Sequence, residues 1–128
     1  MEKINFDNNI GVILVDVFIK NNIIAKKVRM ALDTEATYSI ITKEVAQSLE
    51  LQPELSNEKI QIITASETQE APVLPLEKIR IGKSEVENIK VIVHDLPQQS
   101  LIDGLLGLNF LKNFNIHLNF KQGFLEFE

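Results

Sequence analysis

One acid in this chain stands where chemistry is possible. The stretch from Met30 to Ile41 begins with an apolar run, Met30-Ala31-Leu32, of the kind that ends a buried strand. It then places Asp33 where that run stops. Thr34, Ala36, Thr37 and Ser39 follow, small or hydroxylic, before the apolar pair Ile40-Ile41. A carboxylate at a strand end, ringed by groups able to donate hydrogen bonds, suits acid–base work on a bound substrate. Asp is also favoured in turns and helix caps, so the segment alone leaves a structural role open. His94-Asp95 is a second pair able to ligate a metal or act in catalysis, although a His-Asp before Leu96-Pro97 is more often a strand end. His117, between Ile116 and Leu118, reads as an outward strand residue.

The elements that must position Asp33 are mostly strands. Residues 10–20 read as one strand, Asn21-Asn22 as a polar hairpin turn, and 23–32 as the return strand that delivers Asp33. Residues 42–51 read as a short helix capped by Thr42, with Val45 and Leu49 inward and Pro53 as its stop. Residues 58–65 and 71–76 read as a hairpin whose polar tip runs from Thr64 to Glu70. Pro72 and Pro75 mark its return arm as an edge. Such a tip serves to cover a cleft, or is an ordinary surface turn. Strands over 76–83 and 86–93, a short helix over 108–114 and a last hairpin over 115–127 complete the chain. Gly104 and Gly107 interrupt the dense apolar segment Leu101 to Leu111, which signals tight backbone approach or positive φ. The expected class is all-β, a closed barrel-like or a folded sheet, with one or two short helices.

Composition bounds the rest. With 128 residues, 45% of them hydrophobic, the chain is long enough for one domain with a proper core, spanning 1–128. The net charge is −5 and no Lys/Arg cluster stands out, which argues against a nucleic-acid partner. There is no Cys, hence no disulfide frame and no thiol chemistry, and no metal or cofactor is expected. The start, Met1-Glu2-Lys3-Ile4-Asn5, lacks the pattern of a secretory signal, and the apolar run Val12–Val15 is far too short to span a bilayer. A cytoplasmic protein without membrane contact is expected, or one domain of a longer protein.

Three segments, in order, resemble the retropepsin-like (retroviral-type) aspartic proteases, of the kind found as bacterial single domains. Ala31-Leu32-Asp33-Thr34-Glu35-Ala36-Thr37 resembles the family's Asp-Thr-Gly-Ala motif. Thr64-Ala65-Ser66-Glu67 is placed like the flap tip. Asp103-Gly104-Leu105-Leu106-Gly107-Leu108-Asn109 is similar to the apolar-apolar-Gly segment that supports the active-site loop. The resemblance implies an acid-protease fold of one lobe and an aspartic endopeptidase. Asp33 would be the catalytic residue, Thr34, Glu35, Ala36 and Thr37 would form its loop, and Gly104, Leu105, Leu106 and Gly107 would support it. Ala65, Ser66 and Glu67, with Thr64, would bind an extended peptide or protein substrate. Proteolysis of this type needs two carboxylates sharing a proton, and this chain carries one motif. A homodimer with Asp33 and its mate across a two-fold axis is therefore implied.

Two residues depart from the family pattern. Glu35 stands where the family has Gly, and Glu67 where many bacterial relatives have a flap Gly. In a dimer, two Glu35 and two Asp33 would crowd four acids near one axis. Like charges favour protonation, so activity at acid pH is one expectation. The alternative is a peptide-binding or interaction module on the same fold, its catalysis weakened or lost.

Overall fold

Apolar alternation, rather than helical periodicity, organises this chain, and the sheet follows from it. The computed structural model describes residues 2–63, 65–97 and 101–128. In chain order the strands are β1 (Lys3–Asn5), β2 (Leu14–Asn21), β3 (Ile24–Leu32), β4 (Ser39–Ile41), β5 (Glu58–Ile63), β6 (Thr68–Ile81), β7 (Ser84–Val93), β8 (Gly104–Leu106), β9 (Ile116–Asn119) and β10 (Phe124–Phe127). Two short helices interrupt them, α1 (Lys43–Ser48) and α2 (Leu108–Leu111).

Six of the strands close on themselves. Their order is β2-β3-β8-β4-β7-β6, and β6 pairs back onto β2 through Phe18↔Arg80 and Ile19↔Ile79. Closure removes the open edges that a six-stranded sheet would otherwise present. β5 lies outside this ring, hydrogen-bonded only to β6. Inward residues alternate with outward ones, as a pleated strand requires: on β2, Val15, Val17 and Ile19 are buried while Asp16 and Phe18 face out. They meet Met30, Ile41, Leu76, Ile79, Val91 and Leu106 in the barrel core.

A separate sheet, β1-β10-β9, is made from the two ends of the chain. Leu125 and Phe127 point from it into the same core, and Phe127 stacks edge-on against Phe110 and Phe114 at centroid distances of 6.2 and 5.4 Å. α2 is thereby held between the terminal sheet and the barrel. Within the single chain, then, the terminal strands pair with each other.

The hairpin expectations hold with small shifts. β2 starts at Leu14, not at residue 10, and its turn is Asn22-Ile23, because Asn22 takes the left-handed φ of 56° that the tight turn needs. α1 is capped by Thr42, whose Oγ1 accepts from Val45 N at 3.2 Å. Its stop is Glu50 at φ 57°, which precedes Pro53. The two strands expected over 71–76 and 76–83 are one, the 14-residue β6. Its prolines are tolerated because each has a partner strand on one side only. Pro72 lies opposite β5, and Pro75 lies opposite β7.

Candidate active site

Asp33 is delivered by β3 and stopped by β8. The parallel pair Met30↔Gly104, Ala31↔Leu105 and Leu32↔Leu106 runs to the end of both strands, and Asp33 N then donates to Leu106 O at 3.0 Å. On its other side β8 pairs antiparallel with β4, through Ile40↔Leu105 and Ile41↔Gly104. The segment 33–38 is therefore a loop whose two ends are both hydrogen-bonded to β8. That arrangement requires the two glycines. A Cβ on Gly104 would run into the Ile40 carbonyl, and one on Gly107 would lie 2.6 Å from Tyr38 O and 2.8 Å from Ala36 O.

Inside the loop the backbone turns tightly. Ala36 N donates to Asp33 O at 3.3 Å, and Glu35 N donates to Asp33 Oδ1 at 2.9 Å. The second carboxylate oxygen, Oδ2, takes no hydrogen bond among the described residues. Asp33 is half-buried, whereas Thr34, Glu35 and Thr37 are exposed. α2 completes the clamp: Leu108 N donates to Ala36 O at 2.7 Å and Asn109 N to Thr37 O at 3.1 Å.

A buried polar knot locks the far end of the loop. Ser39 is fully buried. Its Oγ donates to Asn109 Oδ1 at 3.0 Å and accepts from Gly107 N at 3.0 Å, while Ser39 N donates to the same Asn109 Oδ1 at 2.8 Å. The Asn109 amide nitrogen donates to Lys90 O at 2.7 Å. Every polar atom of the knot is thus satisfied, the condition under which a buried polar network rigidifies rather than weakens a core.

The flap residues lie elsewhere. β5 and the first half of β6 form a hairpin in the register Ile63↔Thr68 to Glu58↔Val73, with Ala65, Ser66 and Glu67 exposed at its tip. Thr64 falls outside the described residues. The hairpin's root is apolar: Ile60 and Ile62 pack with Ala71, Val73 and Ile92 against Tyr38 and Ile40, just beyond the Asp33 loop. At the tip, the Glu67 carboxylate accepts from Gln69, whose Oε1 is 2.9 Å from His94 Nε2. His94 and Asp95 thereby serve as strand-end anchors. His94 N donates to Ile41 O at 3.0 Å, and Asp95 Oδ1 accepts Lys43 N at 3.0 Å.

Two of the larger concavities are not at Asp33. One of about 480 Å³ is lined by α1, Pro53, Pro72 and Val93, and one of about 960 Å³ by the flap tip and residues 93–97. Asp33 lines neither of them.

The family model described as "gag-polyprotein putative aspartyl protease" matches residues 19–113, a span that holds the Asp33 loop, the flap hairpin and the Gly104–Gly107 segment. The chain belongs to this family. The crystal structure of a retropepsin-like aspartic protease from Rickettsia conorii is similar over 97% of this chain and 87% of its own, with a TM-score of 0.74 and 26% identity. No curated protein sequence matches the chain.

For a member of this aspartyl protease family, the structure brings together two of the three expected segments, Asp33–Thr37 and Gly104–Gly107, as one hydrogen-bonded unit. The third is set at the end of a separate hairpin. Sequence reasoning passed over Ser39 and Asn109 as functional residues. The signal was available in Asn109, a lone carboxamide among Leu108, Phe110 and Leu111, where an amide needs buried partners.

Proposed function

We propose that this protein is an aspartic endopeptidase that works as a homodimer, with Asp33 and its mate facing across a two-fold axis. The observation that carries the reading is the state of the Asp33 carboxyl group. Oδ1 is held by Glu35 N–H, and Oδ2 is left without a partner on a loop clamped from both ends. A carboxyl group so presented is ready for a second carboxyl group and a water. Two carboxylates that close share one proton between them. The unprotonated one takes a proton from the water as its oxygen bonds to the peptide carbon. The protonated one gives its proton to the carbonyl oxygen. Collapse of the resulting diol breaks the C–N bond as the amine nitrogen gains a proton.

The exposed hydroxyl of Thr34, unpartnered among the described residues, would brace the two loops across the axis. Substrate would lie extended between the Asp33 loops and the flap, pairing as an added strand with the open edge of β5. The terminal sheet of one chain meeting that of its mate would complete the dimer. No helix among the described residues is long and apolar enough to cross a membrane, and no nucleic-acid or membrane partner is part of this reading.

A second reading rests on Glu35. Its exposed carboxylate beside Asp33, where the family has Gly, would bar the substrate backbone and leave a peptide-binding module. The deciding experiment is cleavage of a mixed peptide library between roughly pH 3 and 7, the range in which a coupled carboxyl pair titrates, with Asp33→Asn beside it. Cleavage that vanishes in the mutant establishes the peptidase. Folded, dimeric protein that cleaves nothing at any pH establishes the binding module.

A further inference from the structure

We infer that Glu35 selects substrates that carry Lys or Arg next to the bond presented to Asp33. The inference rests on the placement of substrate given above, and goes beyond it in assigning the chemistry of what is bound. Exposed acids without partners are common on any surface. What sets Glu35 apart is its anchor. Its own N–H is bonded to Asp33 Oδ1 at 2.9 Å, so its backbone is tied to the reacting carboxyl group itself. Residues on either side are tied as well. Asp33 N is held by Leu106 O at 3.0 Å, and Ala36 O holds Leu108 N at 2.7 Å. The loop cannot swing Glu35 away without breaking these bonds. Its side chain therefore begins within the space that a substrate bound at Asp33 must occupy.

The carboxylate of Glu35 has no ion pair or hydrogen bond among the described residues. Three other acids on the strands differ. Glu58 is 3.0 Å from Lys90, Glu85 is 2.9 Å from Lys78, and Glu77 accepts Asn22 N at 2.7 Å. Glu67 on the flap accepts from Gln69. Glu35 is thus an exposed, unpaired carboxylate whose backbone is anchored at the carboxyl group a ligand would meet. An apolar or acidic residue pressed against it would strip its water with nothing in return. A Lys or Arg side chain would replace that water with a charge-assisted hydrogen bond. In a two-fold dimer Glu35 comes twice, once on each side of the cleaved bond. The preferred peptide accordingly has a basic residue on both sides. The same cations would offset the repulsion among four acids at one axis, so the residue that departs from the family pattern becomes the specificity element.

The test uses peptides that share one apolar scissile pair and differ only in the flanking residue on each side, Lys, Gln or Glu. They are assayed as kcat/KM ratios with wild type, Glu35→Gln and Glu35→Lys. The wild type is expected to favour the Lys peptide over the Gln peptide by at least about tenfold, a preference that shrinks as salt screens it. In Glu35→Gln the ratio should fall below about threefold, and in Glu35→Lys it should invert toward the Glu peptide. An unchanged ratio in Glu35→Gln overturns the inference while leaving the peptidase standing. Should the wild type cleave nothing, fluorescence anisotropy of the labelled peptides decides. Lys-selective binding that Glu35→Gln abolishes keeps the inference and removes the peptidase, whereas charge-blind binding or none overturns both.

Discussion

The Asp33 loop, residues 33–38, and the flap hairpin, residues 58–73, both lie outside the barrel core, yet they are held in opposite ways. The loop is gripped by backbone bonds from β8 and α2 and by the Ser39–Asn109 knot, and two glycines are present because there is no room for a side chain. The flap is held at its root by Ile60, Ile62 and Val73 and carries only exposed residues from Ile63 through Glu70, apart from Thr64, outside the described residues. The difference follows from the work each would do. A group that must meet another carboxyl within tenths of an ångström needs over-determined backbone. An element that must admit and release a chain needs few contacts to break.

The sharpest way to separate the two is to change chemistry without changing the clamp. Asp33→Asn keeps an oxygen for Glu35 N–H, so the loop should hold and the melting temperature should barely move. Peptide cleavage should fall by about 10³-fold or more. Gly107→Val does the reverse. It drives methyl groups into Tyr38 O and Ala36 O and should cost about 3 kcal/mol in denaturant unfolding, with activity lost through the displaced loop. Asn109→Ala comes next. It strands Ser39 N, the Ser39 hydroxyl and Lys90 O at once, a cost of about 2–3 kcal/mol. If unfolding showed Asn109→Ala to be as stable as wild type, the knot would not be what holds the loop.

The flap should answer differently to the same kind of change. Ile63 is 80% exposed. Ile63→Ser should alter stability by no more than about 0.5 kcal/mol. Amides of β5 should exchange with solvent faster than those of β3 in the same protein, because β5 has a ladder on one side only. Equal protection in the two strands would erase the contrast drawn between the regions.

How much of this was legible beforehand depended on the signal each part carries. Apolar runs, partly alternating in the first, announced β2, β3 and β7, and Thr42 with Val45 and Leu49 announced α1. The three-residue strands β4 and β8 had no periodicity to show, since three residues are too few for an alternation to register. Yet these two, with β3, make the site. What stood in for them was Gly104 and Gly107 inside an apolar segment, a sign of close backbone approach without an indication of what approaches. Ile40 and Tyr38 supply the answer only in three dimensions. The merger of two expected strands into β6 has the opposite cause. Pro72 and Pro75 punctuate the sequence, but the strand changes partner between them and so needs no break. Asp33 was readable as a candidate because it was an acid ending an apolar run, and its motif neighbours made the family visible. Asn109 carried a weaker signal, a carboxamide among apolar residues, and its partners Ser39 and Lys90 are brought to it only by the fold.

Lys90 joins the two regions at a second place beside the apolar flap root, and it supports the smallest of the expected effects. Its carbonyl accepts from the Asn109 amide of the clamp, and its ammonium lies 3.0 Å from Glu58 at the root of the flap. The hydrogen bond that Lys90 donates to Glu58, and then the Glu58 charge, raise the Lys90 pKa above the ordinary lysine value. A cation whose folded pKa is raised adds stability that is present below the unfolded value, about 10.4, and lost as pH climbs through the folded one. Wild type should therefore lose a little stability relative to Glu58→Gln only in that alkaline window, and the two should run parallel at neutral pH. The pair is solvent-exposed, so the difference should fade in high salt. A melting-temperature difference that persisted unchanged from neutral to alkaline pH would mean that Glu58 acts through packing at the flap root. A difference present at neutral pH and lost through the alkaline window would mean that the flap is tied to the clamped half of the molecule by charge, through a side chain whose own backbone belongs to the clamp.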